Sequence, residues 1–465
     1  MNVSRLMRGV SAVLVALGLV TGAVSTASAE GFAISTLSAR GGAFGGGPAS
    51  GMVGRADDAS AVAYNPAGLT QVKGTQVMAG LAAVALNLDL DTENHWCSNS
   101  HQVWPIPHFY LSHQLNDKFW AGIGMFTRWG LGHSYPDGWA ANDINNNSHF
   151  DKAPVPGMFR AGSALKSITM LTSTINPTIA YKLNDVWSVA AGVSYTWGYL
   201  SLNNQLYAGG LLAGGAVRHV GDVRIHSENG HSFGYNLALH AKFNEQWSAG
   251  LTYRSHERMK FNGSARVRGG STNAVPGFGL PADAKMLAAA GGLYNSRGKA
   301  TIVLPDVISL GVAYKPTERL SFEADVAYTV WSRWRSLQVD LLSSNPYGLP
   351  ESGISQQKNW RDTWAFSISG EYWMYDWLAL RAGVLYETSP LNGEAYHDYY
   401  IPTNGRLQAS VGFGLKYEDW TLDFAYIHMH EREVTLKSGG TGETVNGKFG
   451  NGYDHTFALT LGYKF

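Results

Sequence analysis

The strongest constraint on the fold is the strict alternation of side chains along residues 451–465. Large apolar side chains such as Phe457 and Leu459 alternate with small or polar ones such as Ala458 and Thr460. A period of two residues is that of a β-strand. Aromatic side chains near both ends of one face, with small ones on the other, are typical of a membrane strand between lipid and a wetter lumen. The ending in Phe465 also resembles the signal read by the outer-membrane assembly machinery, which we expect as a partner during biogenesis.

Stretches of this kind recur along most of the chain. Fourteen are predicted, at residues 74–90, 104–115, 118–130, 168–183, 186–202, 231–243, 246–263, 299–315, 318–335, 360–373, 377–388, 404–417, 419–436 and 450–465. Tight turns such as Asn116-Asp117, Asn184-Asp185 and Asn244-Glu245 alternate with long loops such as 131–167 and 264–298. Short turns on one rim and long loops on the other are typical of outer-membrane barrels. Because lipid forbids an open sheet edge, the predicted fold is all-β: a closed, 14-stranded antiparallel transmembrane β-barrel in the bacterial outer membrane.

The beginning of the chain does not alternate. Residues 1–29 combine the basic residues Arg5 and Arg8, an apolar run and the small-residue sequence Ala27-Ser28-Ala29, which together predict a secretory signal peptide. The apolar run is shorter than the roughly 20 residues that a membrane-spanning helix needs. Residues 30–73 are rich in small residues and are predicted to fold back into the lumen as an N-terminal hatch, or plug. Residues 74–465 then form the barrel.

Charge and cysteine content exclude several classes of function. Lys and Arg balance Asp and Glu at 35 each, so no basic field is available to attract nucleic acid. Cys97 is the only cysteine, which excludes an intramolecular disulfide and a cysteine-rich metal site. His95, Cys97 and His101 are close enough in sequence to touch a metal, but a solvated loop is the preferred interpretation. We expect no metal and no other cofactor.

Catalysis is not indicated either. An outer-membrane hydrolase would need a nucleophile, a base and an orienting group that converge on one site. His428, His430 and several serines are present, but their spacing does not single out such a set. The chain is therefore not expected to be an enzyme.

The alternation also predicts which side chains face the lumen. Near the tight turns these positions carry mixed charges, well suited to hydrogen-bonding a plug: Glu323, Asp325, Glu371, Arg381, Lys416 and Asp423. Toward the long loops they become apolar, and the candidate ligand-binding positions are Leu200, Trp331, Leu385, Ile427 and Met429. An apolar upper lumen predicts a pocket for a hydrophobic ligand, although the same residues would also suit packing against an inward-folded loop. A porin for polar solutes, which should keep a polar lumen, is the less favoured alternative.

Basic side chains and glycines add two further expectations. Arg254, Arg333 and Arg335 share the predicted lumen face and are candidates for holding a carboxylate, or else are solvated rim charges. On the third strand Phe126 and Arg128 are also predicted to face inward. Glycines inside a strand often mark a bulge or bend, and this strand region is rich in them: Gly122, Gly124, Gly130 and Gly132. A bend here would either open a gap in the wall or make room for the plug.

Taken in order, several short motifs resemble those of the FadL/TodX family (OmpP1/FadL/TodX) of outer-membrane transporters for long-chain fatty acids and other hydrophobic compounds. They are Gly31-Phe32, A-D-D-A at 56–59, N-P-A at 65–67, T-Y-R-S at 252–255, L-P-D at 304–306, A-Y-T-V-W-S at 327–332, W-R-D-T-W-A from residue 360, R-A-G-V-L-Y-E-T-S-P at 381–390 and I-P at 401–402. The set spans the whole mature chain. Each motif alone is unspecific, but their order is specific.

The resemblance implies a fourteen-stranded barrel with a hatch, which would contain Gly31, Phe32, Asn65, Pro66 and Ala67. It implies passive transport: capture of the ligand at the outer loops, binding in a lumen pocket, and lateral release into the membrane through a gap at the kinked third strand. The last three hatch residues would stabilise the fold of the hatch. A closed barrel of this kind is expected to act as a monomer.

One departure bears on the cargo. Basic residues on strands five and nine approach the carboxylate in the family's fatty-acid carriers, whereas this chain has Trp197, Tyr199 and Gln338 at about those places. Either Arg333 and Arg335 take over this role or the cargo lacks a carboxylate. Long-chain fatty acid is the favoured cargo, and a neutral aromatic or aliphatic hydrocarbon is the alternative.

Overall fold

The computed structural model describes residues 33–92, 96–98, 102–146, 160–210, 215–268, 294–343, 354–393, 397, 400–401, 403–436 and 446–465. Its strands are β1 (Thr75–Thr92), β2 (Trp96–Ser98), β3 (Gln102–Gln114), β4 (Phe119–Phe126), β5 (Gly130–Ser134), β6 (Arg160–Lys182), β7 (Trp187–Gly210), β8 (Gly215–Lys242), β9 (Trp247–Arg254), β10 (Glu257–Arg268), β11 (Ser296–Leu304), β12 (Val307–Thr317), β13 (Leu320–Thr329), β14 (Ser336–Leu341), β15 (Ile354–Gln357), β16 (Thr363–Tyr375), β17 (Leu378–Glu387), β18 (Arg406–Tyr417), β19 (Trp420–Glu431), β20 (Val434–Leu436) and β21 (Gly447–Lys464).

Helices are short. Ala39–Ala43 and Ala141–Asn146 are α-helical, and Ala59–Val62, Pro66–Gln71 and Trp331–Arg333 are 3₁₀-helices. In the part of the chain that the structure describes, no helix has the length and apolar character to cross a membrane.

All strands belong to one antiparallel sheet, and that sheet is closed. The last strand pairs with the first, from Gln76 opposite Lys464 to Thr92 opposite Gly447. Closure removes the unpaired edge that a bilayer would not tolerate. The predicted all-β outer-membrane barrel is therefore confirmed.

The predicted number of fourteen strands is wrong, because the sheet contains 21. Bulges and turns divide four of the predicted stretches into successive strands: β4 and β5, β9 and β10, β11 and β12, and β19 and β20. The short strands β2, β14 and β15 were not predicted at all. Alternation of side chains detects the extended stretches but does not show where the backbone interrupts them.

The outer face of the sheet is apolar and bears two bands of aromatic side chains. One band lies by the tight turns and the other toward the long loops; on β7 they are represented by Trp187 and by Tyr195 with Trp197, all exposed. These positions are about 26–33 Å apart along the strand. With the usual strand tilt, this spacing matches an apolar belt about 25 Å tall.

The tight turns share one hydrogen-bonding device. The side-chain oxygen of Asn116 accepts hydrogen bonds from the backbone N–H groups of Lys118 and Phe119, at 2.9 and 3.0 Å. Asn184 and Asn244 make the corresponding two bonds at 2.8–2.9 Å. Asparagine satisfies the turn backbone without help from other strands, so these short connections were predictable from sequence.

Residues 33–73 contact strands on every side of the closed sheet. Backbone N–H groups of Ala39 and Gly45 donate to Thr460 on β21 and Ser410 on β18, at 2.9 and 2.8 Å. The Trp120 indole on β4 donates to the Val72 carbonyl at 2.9 Å. The segment also bonds to Leu239 on β8 and to Glu323 on β13, on the other side of the sheet, so it lies against the inner face across the width of the barrel.

Candidate lumen binding site

Charged side chains hold one end of the 33–73 segment. The Glu323 carboxylate accepts from the backbone N–H groups of Gly54 and Arg55, at 2.6 and 3.1 Å. Asp325, on the same strand, accepts from the N–H of Gly51 at 2.5 Å. Both carboxylates were predicted to face the lumen near the tight turns, and there they complete backbone hydrogen bonds that the irregular segment cannot make internally.

A chain of ion pairs extends this attachment. Arg40 lies 2.6 Å from Asp57 and 3.4 Å from Glu371, and Glu371 lies 2.7 Å from Arg381. Arg381 also pairs with Asp423 at 2.5 Å. Burial alone would lower the pKa of Arg40, but the surrounding carboxylates outweigh it and raise the pKa above its usual value. The segment is thus fixed by directional bonds at this end.

The predicted Asn65-Pro66-Ala67 element caps a 3₁₀-helix within the segment. The Asn65 side chain accepts from the Ala67 N–H at 3.2 Å and donates to the carbonyl oxygens of Val53 and Leu239, at 2.8 and 3.2 Å. Pro66 occupies the first helical position, where no N–H is needed. Of the other predicted hatch residues, Gly31 and Phe32 lie outside the described residues.

A small cavity of about 60 Å³ lies between the 33–73 segment and the barrel wall. The segment contributes mainly apolar groups, among them Ile34 and Leu37, with the ring of Tyr64. The wall contributes Arg128 and Arg254, together with Trp129, Thr252, Val307, Ser309 and Thr329. The structure therefore brings two of the predicted arginines to one apolar cavity.

The two arginines differ in their partners. Arg254 is fully engaged: its guanidinium donates to the carbonyl oxygens of Val62 and Ala63, at 2.6 and 2.7 Å, and to Asn176 at 3.0 Å. The Arg128 guanidinium lies over the Trp129 ring, 5.2 Å from its centroid. Within the described ranges the Arg128 side chain has neither an ion pair nor a hydrogen bond. A buried cation without an ion pair, beside apolar side chains, is suited to bind a carboxylate.

Two further predicted residues pack in the upper lumen. Leu200 and Trp331 are buried in one large apolar cluster, in which Trp331 makes edge contacts with Trp129 and Trp360 at ring distances of 5.6 and 5.1 Å. Trp334 packs on Trp360 at 4.9 Å. Since Trp129 also lines the cavity, the cavity adjoins this apolar cluster on the loop side.

The remaining predicted apolar residues are buried elsewhere. Phe126 stacks on Tyr110 at 5.9 Å and lies under Arg254 at 5.7 Å, next to the cavity. Leu385 packs with Ala49. Ile427 lies against glycines of the segment, and Met429 accepts a hydrogen bond from Arg406 at 3.3 Å. Leu385, Ile427 and Met429 face inward as predicted but do not line the cavity.

Arg333 and Arg335 are not where the sequence placed them. Both are exposed on the outer side, and Arg333 forms an ion pair with Asp306. The 3₁₀-helix Trp331–Arg333 interrupts the alternation, and a shift of one residue exchanges the two faces of a strand. Trp331 keeps its inward position, whereas the arginines that follow it turn outward.

The barrel wall is interrupted beside the cavity. β4 pairs with β3 only from Phe109 opposite Met125 to Gln114 opposite Trp120. After β4 ends at Phe126, β5 pairs with β6, and the described residues show no pairing between β5 and the upper part of β3. The opening between them has a volume of about 590 Å³ and is lined by Val103, Trp104, His133, Ser134, Tyr135, Lys166, Ser167, Thr169 and Tyr199.

The 33–73 segment contacts the wall at this interruption, and the four predicted glycines lie in the strands before and after it. The Ile34 N–H donates to the Arg128 carbonyl at 2.8 Å, and Ala33 forms a single β-bridge with Trp129. A methyl group at Gly122 would lie 2.7 Å from side chains of Val62 and Leu69. Gly122 thus permits close approach of the segment, whereas Gly130 and Gly132 begin the strand beyond the break. Gly124 lies inside unbroken β4.

Sequence reasoning missed Tyr64 and Trp129 as cavity residues. Burial raises the pKa of Tyr64 to about 12, and its hydroxyl accepts from the Leu37 N–H at 3.3 Å. Trp129 directly follows the predicted Arg128, and its position next to a strand break was the available signal. Tyr64 lies in the non-alternating segment, where no periodic pattern shows which side chains face the barrel wall.

A closed barrel with an apolar outer face, an apolar cavity and an interrupted wall defines an outer-membrane transport protein for compounds poorly soluble in water. Comparison agrees: the chain belongs to the outer membrane protein transport protein family (OMPP1/FadL/TodX), whose model matches residues 20–465. The resemblance seen in the sequence is confirmed. The family transports hydrophobic compounds across the outer membrane, and the chain is not an enzyme.

Individual relatives are distant. The chain is 24% identical over 411 residues to the long-chain fatty acid transport protein of Escherichia coli O6:H1, covering 83% of this chain and 84% of that protein. It matches the crystal structure of a Pseudomonas aeruginosa FadL homologue with a TM-score of 0.73 at 19% identity, covering 94% and 100% of the chains. The crystal structure of the Pseudomonas putida toluene transporter TodX matches with a TM-score of 0.65 at 17% identity, with the same coverage of both chains. At these identities the solved structures establish the fold.

Proposed function

We propose that the chain carries long-chain fatty acids passively across the outer membrane. The observation that carries the proposal is the Arg128 guanidinium, which lines an apolar cavity and has no counter-charge in direct contact among the described residues. A fatty-acid carboxylate would supply that charge, and its acyl chain would extend among the tryptophans on the loop side. A neutral hydrocarbon would leave the cation unpaired, at a cost in free energy.

The cavity also indicates what must move. At about 60 Å³ it is too small for a long acyl chain, so binding requires displacement of the first described residues, near Ala33 and Ile34. These residues are tied to the strand break through Arg128 and Trp129. We infer that residues 33–73 act as a hatch and that ligand binding loosens its attachment at the break.

The interrupted wall suggests the exit. The opening lies between β3 and β5, which begins directly after Trp129, and its lining includes the exposed Val103. Cargo captured at the outer loops would pass the cavity and leave sideways into the membrane, without crossing the charged end of the lumen. We infer that the barrel acts as a monomer, since its closed sheet offers no free edge to a second copy.

The proposal is tested by equilibrium binding of oleate and of toluene to the detergent-purified barrel. Arg128→Met should weaken oleate binding by about 10- to 100-fold, the usual loss for a hydrogen bond to a charged group, and leave toluene binding unchanged. The matched control is Arg335→Met, which removes a charge from the outer side. Equal oleate binding in wild type and Arg128→Met would contradict the carboxylate site. Toluene binding alone would indicate a hydrocarbon channel, and binding of neither compound a porin for polar solutes.

The exit is tested in the same system reconstituted in vesicles. Cysteines at Val103 and Ser134, in a Cys97→Ser background, are joined across the opening by a flexible bismaleimide. Oleate binding should persist, while its transfer to the lipid should fall well below that of either single-cysteine protein treated with the same reagent. Undiminished transfer would exclude this opening as the exit.

A further inference from the structure

Exposed cations line the outer face of the barrel on β8, β10 and β11. Buried and exposed side chains alternate strictly here: Met259, Phe261 and Ala265 point inward, and the basic residues point out. We call the exposed set the basic outer face; it consists of Arg224, Arg258, Lys260, Arg266, Arg268, Arg297 and Lys299. Arg258 points outward although it is an even number of residues from the inward Arg254, because the interruption at Ser255 and His256 exchanges the faces of the strand.

The strand register places these charges beside one another. Arg266 lies directly opposite Arg224, and Lys299 is opposite Asn262, next to Lys260 along the same face. Like charges directly opposite each other in a sheet are destabilising. For the described residues, none of the seven cations forms an ion pair. An arrangement that costs stability and forms no ion pair within the described residues indicates an external anion.

Two acidic residues border the patch and offset only part of its charge. Asp222 is opposite Arg268 but lies 3.2 Å from His219, and Asp340 is opposite Lys299 but accepts from Gln338 at 2.7 Å. Near Arg258 and Lys260, Glu257 is buried, and Asp306 is already engaged by Arg333 and His256. The basic outer face therefore keeps a net positive charge.

Its height relative to the membrane identifies the partner. Exposed Phe233 and Tyr235, with Tyr253 packed on Tyr235 at 5.8 Å, belong to the upper aromatic band. Arg258 follows Tyr253 by about 16 Å along the strand. Aromatic bands mark the boundary between the apolar core and the headgroups, so the first cations lie at the level of the outer-leaflet headgroups and the others lie farther out.

We propose that the basic outer face binds the phosphate groups of an outer-leaflet glycolipid of the lipid A type. Arginine presents several donors that match phosphate oxygens, and cations two residues apart on one strand face suit a headgroup with more than one phosphate. The anion available at this height, on the lipid-facing side, is a headgroup phosphate. The proposal depends on the location of the barrel in the outer membrane and is independent of the cargo.

The test is native mass spectrometry of the full-length mature barrel in detergent, titrated with bisphosphorylated lipid A or with the same lipid after removal of both phosphates. The double variant Arg258→Ala with Lys260→Ala should bind the phosphorylated lipid about 30-fold more weakly, given the usual contribution of each cation near an anionic headgroup. The matched control, Arg432→Ala with Lys448→Ala, removes two exposed cations elsewhere on the loop side and should bind like wild type.

Each outcome is decisive. Equal binding of the phosphorylated and dephosphorylated lipids, or an equal loss in both double variants, would overturn the proposal. So would unchanged lipid binding accompanied by weaker oleate binding, because the patch would then serve cargo capture. All four substituted side chains are exposed, so folding should be preserved; the shift in gel mobility between heated and unheated barrel checks this. The substitution of Arg224 and Arg266 by Gln gives an independent second variant, at cations of the basic outer face that lie farther from the membrane.

Discussion

The two ends of the lumen hold the same N-terminal segment by different means. Toward the tight turns, buried carboxylates and arginines bind it through ion pairs that run from Arg40 through Glu371 and Arg381 to Asp423. Toward the long loops the lumen is filled by apolar side chains around Trp129, and the segment is tied there by two backbone contacts and by the hydrogen bonds of Arg254. The contacts at the tight-turn end are charged and directional, whereas those at the long-loop end are mostly apolar and non-directional.

This difference suggests which end can respond to cargo. Replacing a buried ion pair requires a new counter-charge, and leaving one partner alone is costly. Apolar contacts can be replaced by any apolar group of suitable volume. A hydrophobic ligand can therefore compete with the segment at the loop end while the charged end keeps it inside the barrel.

The largest expected effect is on the charged end. Arg381→Met should destabilise the folded barrel by about 3–5 kcal/mol, because Glu371 and Asp423 would remain buried without their shared partner. Urea unfolding in detergent, followed by tryptophan fluorescence, measures this. The control is Arg319→Met, whose exposed pair with Asp376 at 3.4 Å should be worth less than about 1 kcal/mol. Similar losses in both variants would show that ion pairs do not hold this end.

A smaller effect, and one that depends on ligand, is expected at the apolar end. Trp331→Leu should cost about 2 kcal/mol, less than full truncation of a buried aromatic side chain, because leucine fills part of the space. Saturating oleate should reduce the difference from wild type, since the acyl chain can occupy the remaining volume. Trp364→Leu, on the lipid-facing side and 46% exposed, is the control and should not respond to oleate. A deficit in Trp331→Leu that oleate leaves unchanged would separate this cluster from the cargo site.

The sequence predicts which side chains face the lumen along regular strands, but not where a strand is interrupted. Alternation correctly placed Leu200, Phe126 and Arg254 on the inner face, because period-two patterning reports burial on a regular strand. It failed at Arg333 and Arg335, which follow a 3₁₀-helix, and it merged strands that the backbone divides. A one-residue shift leaves almost no trace in the residue pattern and yet exchanges the faces. The contacts of the 33–73 segment were equally hidden, because they join residues hundreds of positions apart.

The remaining effect depends on pH and tests the point where these two kinds of attachment meet, at Tyr64. Its hydroxyl contacts Leu37 and Ser38, and burial raises its pKa to about 12 from an ordinary value of 10.0. Between these values an unfolded chain loses the phenolic proton and the folded protein keeps it. Stability should therefore fall as pH rises from 10 to 12, by up to about 1.4 kcal/mol per pH unit. Tyr64→Phe cannot ionise, so its urea midpoint should decline less steeply over this range. Parallel pH dependences in the two proteins would mean that Tyr64 ionises freely in the folded barrel and that the segment is loose at this point even without cargo.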